Sequence, residues 1–108
     1  MKKYDIELYN EIYKGLEEIY QESLRMQGVW SSTSDQHAHK HYQDKTTFMI
    51  MALDKFDEFA RSGNEDTEYI LIHFLTTLII MINQDDMKYR IGYVEAVRDI
   101  EDLFERVS

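Results

Sequence analysis

The chain has 108 residues, room for one domain, and its 21 acidic against 12 basic side chains give a net charge of −9. It has no cysteine, which excludes disulfides, iron–sulfur clusters and thiol nucleophiles, and the lack of clustered Lys and Arg argues against direct binding to nucleic acid or to an anionic membrane. Proline is absent too and 44% of the residues are hydrophobic, so long unbroken helices around one core are expected.

The first predicted helix covers residues 5–27. Ile12, Leu16, Ile19, Ser23 and Met26 recur at spacings of three and four, with Tyr9 before them. Tyr13, Tyr20 and Leu24 widen the stripe, and Glu7, Glu11, Lys14, Glu18 and Glu22 form the opposite face. Gly28 fits a C-terminal stop. A loop is expected over residues 28–34, because Ser31, Ser32, Thr33 and Ser34 compete with the helix backbone for hydrogen bonds. It carries the lone Trp30.

Ser34 or Asp35 can cap a second helix over residues 35–62. It begins polar and histidine-rich (Gln36 to His41) and turns apolar on every side from Phe48 to Leu53. Such a centre needs two packing partners, either two helices of the same chain or one helix and a second subunit. Ser62-Gly63-Asn64 ends it, and Asp66 or Thr67 can cap a third helix over 67–83. The apolar run Tyr69–Ile82 competes as a buried strand pair, but it is long for a strand and has no turn residue. It is also shorter than the roughly 20 residues a membrane span needs. Asn83-Gln84-Asp85-Asp86 makes a tight turn into the last helix, 86–107, whose stripe is Tyr89, Tyr93, Ala96, Ile100, Leu103 and Val107.

Four helices joined by short connections predict an all-α, four-helix up-and-down bundle. The apolar and aromatic surplus, with eight Tyr, five Phe and one Trp, further predicts that the bundle self-associates as a homodimer or higher oligomer. The charge surplus is −3 over residues 1–35, zero over 36–62, and −3 over each of 63–84 and 85–108. The start, Met1-Lys2-Lys3-Tyr4-Asp5, is positive but has no apolar run behind it, so no export signal and a cytoplasmic location are expected.

The candidate sites are of three kinds. His37, His41 and Asp44 stand at i, i+4 and i+7 on one helix face, a set that could hold zinc or ferrous iron. A solvated polar turn explains the same pattern, and three ligands on one straight helix still need a fourth from elsewhere. His73, with Thr77 and Tyr69 nearby and Arg90 as a cation for an anionic ligand, could line a small-molecule pocket. The plainer account of His73 is a core histidine bonded to a neighbour.

For a protein partner, Trp30 is the expected contact anchor, joined by Tyr13 and Tyr20 and by two acidic faces. These are Glu18 and Glu22 on the first helix and Glu95, Asp99 and Asp102 on the last. Like charges at i,i+4 cost a little helix stability, which a basic partner surface would offset. A face that only keeps the chain soluble accounts for the same residues.

No Glu-x-x-His pair, glycine-rich phosphate loop or Gly-x-Ser-x-Gly elbow occurs. A short, acidic, cysteine-free helical chain without a catalytic motif resembles, in general style, the small accessory and inhibitor proteins of phages and mobile elements. The leading expectation is therefore a non-enzymatic protein that binds and inhibits a protein partner and needs no cofactor. The alternatives are an oligomeric binder of a nucleotide or metabolite, and a metal-dependent helical-bundle enzyme.

Overall fold

A computed structural model describes residues 6–32, 34–61, 67–84 and 90–107. It shows four helices: α1 (Ile6–Ser31), α2 (Gln36–Ala60), α3 (Thr67–Ile82) and α4 (Ile91–Val107). No strand occurs among the described residues. The expected stop at Ser62-Gly63-Asn64, a cap at Asp66 and the turn through Asp85-Asp86 lie outside them.

Contacts between the helices fix an up-and-down bundle. Ser23 meets Thr46 while Tyr9 meets Phe56, so α1 and α2 run antiparallel. Gly15 and Leu103 pack together, whereas Ile19 shares a groove with Asp99, so α1 and α4 also run antiparallel. The chain extends 54 × 28 × 22 Å.

The core is apolar and aromatic. Ile12, Leu16, Phe48, Met49, Ala52, Phe74, Leu78, Ala96 and Ile100 are fully buried. Phe56 packs on Tyr9 of α1 at 4.8 Å and edge-on to Phe74 of α3 at 5.2 Å, while Phe48 meets Tyr93 of α4 at 5.5 Å. The all-round apolar centre of α2 is thus used within one chain, because α2 touches all three other helices. Ile50 alone of this stretch points outward, 49% exposed. Ser23 and Thr46 form a polar layer in the α1–α2 seam. Thr46 Oγ1 donates to Tyr42 O (2.7 Å), with Ser23 Oγ 3.2 Å away, and Ser23 Oγ donates to Tyr20 O (2.8 Å).

The end of α1 differs from the sequence expectation. Gly28 does not stop the helix; it is an ordinary helical residue with open space where a side chain would sit. The helix ends at Ser31, where the hydroxyls of Ser31 and Ser32 donate to the carbonyls of Gly28 (2.7 Å) and Val29 (3.1 Å). The serines end it by satisfying its last carbonyls. Asp35 caps α2 as expected, its Oδ1 accepting from Ala38 N at 3.0 Å. Asp35→Ala is expected to lower unfolding stability by about 1 kcal/mol, read from urea denaturation.

Candidate functional site

α2 and α4 approach closely where α4 begins, and glycine makes this possible. A Cβ on Gly92 would sit 2.2 Å from His41 O and 2.8 Å from Lys45 N. The approach lets polar side chains of α2 reach α4. Lys45, its side chain only 8% exposed, donates to Glu95 Oε1 (3.0 Å) and to Asp99 Oδ2 (2.6 Å). His41 Nε2 hydrogen-bonds the other oxygen of Glu95.

Burial opposes the charge on Lys45, but the hydrogen bonds it donates to Asp99 and Glu95 outweigh it and hold the pKa above the usual lysine value. Burial likewise opposes the charge on Glu95, and the Lys45 and His41 bonds bring its pKa below the usual carboxylate value. The cluster ties two helices together, with one lysine and one histidine set between two carboxylates.

This arrangement bears on two sequence expectations. His37, His41 and Asp44 do not converge: His37 is exposed, His41 turns to Glu95, and Asp44 lies between Lys40 (3.5 Å) and Arg90 (4.0 Å). Among the described residues no group of three metal-binding side chains comes together. On α4, Glu95 and Asp99 are engaged by Lys45, with about a third of each side chain left in water. Asp102 is the most exposed of that trio and shares a shallow α1–α4 groove with Ile19, Asp99 and Arg106.

The remaining candidates are scattered. Trp30 sits in the last turn of α1, half-buried, beside Gln36, His39 and Lys40. The extension of α1 past Gly28 removes it from the expected loop. Tyr20 is half-buried against the core; Tyr13 is 43% exposed, and its hydrogen bond to Glu17 raises its pKa. Glu18 is exposed, and Glu22 pairs with Arg25 at 2.6 Å, which lowers the Glu22 pKa.

His73 is exposed, contrary to its expected place in a buried helix. It stacks on Tyr69 (5.2 Å, 16° between planes) and meets Phe59 edge-on. Thr77 donates to the carbonyl of His73 at 2.8 Å, and Arg90 lies over the ring of Tyr93 and donates to its hydroxyl. The four residues of the ligand reading are thus held in two separate surroundings.

α3 supplies what the sequence reading missed. Its outward face carries Tyr69, Ile72, His73, Thr76, Ile79 and Ile80, with Tyr69, Ile72 and Ile80 each more than half exposed. These positions fall at helical spacing, and no Asp, Glu, Lys or Arg occurs from Tyr69 to Ile82. The face is left open because α1 and α3 flank the α2–α4 pair on opposite sides. A second feature lies beside it, a groove of about 540 Å³ between α1, α3 and α4. No described helix is long and apolar enough to cross a membrane. Comparison with family models, curated proteins and solved structures gave no match to the chain.

Proposed function

We propose that this chain is a non-enzymatic interaction protein that works as a homodimer, with the outer face of α3 as the surface where two copies meet. The observation that carries this reading is the uncharged apolar stripe on α3. From Tyr69 to Ile80 it runs about 17 Å along the helix at 1.5 Å per residue. Contiguous exposed apolar patches are uncommon on monomers and mark association sites.

Charge selects the occupant. Two copies at −9 repel, and α1, α2 and α4 all expose ionised side chains, among them Glu7, Glu11 and Glu18, Asp54 and Asp57, and Glu101 and Asp102. The α3 face has none, so it lets two copies touch with least repulsion, and a twofold axis would lay it against itself. The non-enzymatic part rests on the His41–Glu95–Lys45–Asp99 cluster, whose charged groups are engaged with one another between two helices. The dimer would act on a further protein by occupying it, as an inhibitor or accessory subunit.

Sedimentation velocity tests the reading. Wild type is expected to sediment as a dimer at micromolar concentration. Thr76→Glu and Ile80→Glu, both on exposed positions, are expected to weaken the dimer at least about 100-fold, because each would desolvate carboxylates at the joint. A wild-type chain that is monomeric throughout that range, or variants that still dimerise, would sink it.

A further inference from the structure

We infer that the α3 dimer is opened by acid, through protonation of His73 in each copy. The inference rests on the dimer reading above and adds its regulation. His73 is exposed and lies within the uncharged stripe: Tyr69 stands four positions before it, Thr76 three after and Ile80 seven after. It is the one side chain from Tyr69 to Ile82 that can gain a charge near neutral pH.

Symmetry doubles the effect. The stripe from Tyr69 to Ile80 has its middle between Phe74 and Leu75. A twofold axis across α3 at that point would set His73 of one copy opposite Thr76 of the other, each His73 about 2 Å along the helix from the axis. An axis parallel to α3 would set the two His73 opposite each other. In both cases the two imidazoles enter the joint, and their protonation puts two like charges where water is being removed.

The surroundings supply no carboxylate to offset them. The imidazole meets rings, Tyr69 stacked at 5.2 Å and Phe59 of α2 edge-on at 5.6 Å. The ionised groups flanking Phe59 on α2 pair with one another, Lys55 with Glu58 at 3.4 Å and Arg61 with Asp57 at 3.1 Å. On α3, Glu68 lies five positions back on another face and is engaged elsewhere. α4 meets α3 through Phe104 on Phe74, and its Glu101 and Glu105 border a groove that His73 does not line; α1 brings only Leu8 and Ile12 to that groove.

The sign sets this apart from a change in overall charge. Four histidines each gaining one proton would take the net charge from −9 to −5 and ease repulsion between copies, which predicts a tighter dimer in acid. Imidazolium in the joint predicts a weaker one.

Sedimentation velocity of the full chain at constant ionic strength tests this, each chain being read as the ratio of its own dimer dissociation constants at two pH values. From about pH 8 to about pH 5.8 the wild type is expected to weaken at least about ten-fold. His73→Gln should weaken less than about two-fold or tighten, whereas His37→Gln with His39→Gln should keep the wild-type loss. A wild type that is dimeric at pH 8 and no weaker in acid would overturn the inference and leave the α3 dimer standing, and so would a His73→Gln chain with the full loss. A wild type monomeric at pH 8 would overturn both. Should His73→Gln fail to dimerise, calorimetric dilution of the wild type near pH 6.5 in buffers of different ionisation enthalpy decides: proton uptake on dissociation supports the inference, and none overturns it.

Discussion

A Gly92→Ala chain is expected to lose about 2–4 kcal/mol of unfolding stability, more than any other single-methyl addition in the described helices. The new Cβ would lie 2.2 Å from His41 O, 2.8 Å from Lys45 N and 2.9 Å from Asp44 Cβ. Two of these atoms are backbone within α2, so no rotamer change relieves the clash. The helices must separate, and separation lengthens the bonds that His41 and Lys45 make to α4.

The other described glycines set the scale. A Cβ on Gly15 would meet Leu103 side-chain atoms at 2.3 and 2.7 Å, which can shift in part, so Gly15→Ala should cost less. Gly28→Ala meets nothing within 4 Å and should gain up to about 1 kcal/mol, the helix-propensity difference between the two residues. Urea denaturation of the three variants checks the order. A Gly92→Ala chain as stable as Gly15→Ala would show that the α2–α4 approach is looser than described.

The sequence patterns carried the bundle well because helical periodicity is local. The stripe Ile12, Leu16, Ile19 and Ser23, and the stripe Tyr93, Ala96, Ile100 and Leu103, name the buried faces of α1 and α4 almost residue for residue. Asp35 was legible as a cap for the same reason. The patterns were weaker wherever the answer depended on which neighbours exist. The run around His73 is apolar on all sides and reads as buried, yet α2 and α4 pack directly on each other and leave α3 two neighbours, so one face stays in water. The centre of α2 has the same look and is buried, because α2 has three neighbours.

Charges were the hardest to place. Glu95 and Asp99 stand at a spacing that suits a solvated acidic face, and His41 and Lys45 form an equally plain pair at i,i+4 on α2. Only their meeting across 50 or more residues makes them a cluster. Gly92, a glycine near the start of an otherwise helical pattern, was the available signal that the backbones come close there. Trp30 was misplaced through its neighbour: Gly28 suits a helix stop, but glycine permits a left-handed turn and does not compel one.

Lys45→Ala is expected to be the other large loss, at about 2 kcal/mol. It would leave Glu95 and Asp99 facing each other across the space of a vanished cation. The two carboxylates keep 36% and 35% of their side-chain surface in water, which screens them and holds the loss at the low end for a buried pair. The pH dependence follows from the shifts. The Glu95 pKa is lowered in the folded chain, so its contribution is present above the unfolded carboxylate value and is lost as pH falls through the lower folded value. The Lys45 pKa is raised, so its contribution is complete below the unfolded lysine value, near 10.4, and disappears as pH rises through the folded one. Between those limbs the cluster holds α4 to α2, and Lys45→Ala should flatten both. Lys45→Met combined with Glu95→Gln and Asp99→Asn should recover most of the lost stability near neutral pH, since it removes the unmatched charges together with the ammonium. Chemical denaturation of the single and triple variants from pH 3 to 11 separates this account from simple side-chain packing, in which the triple variant would be no more stable than Lys45→Ala and the pH limbs would stay as in the wild type.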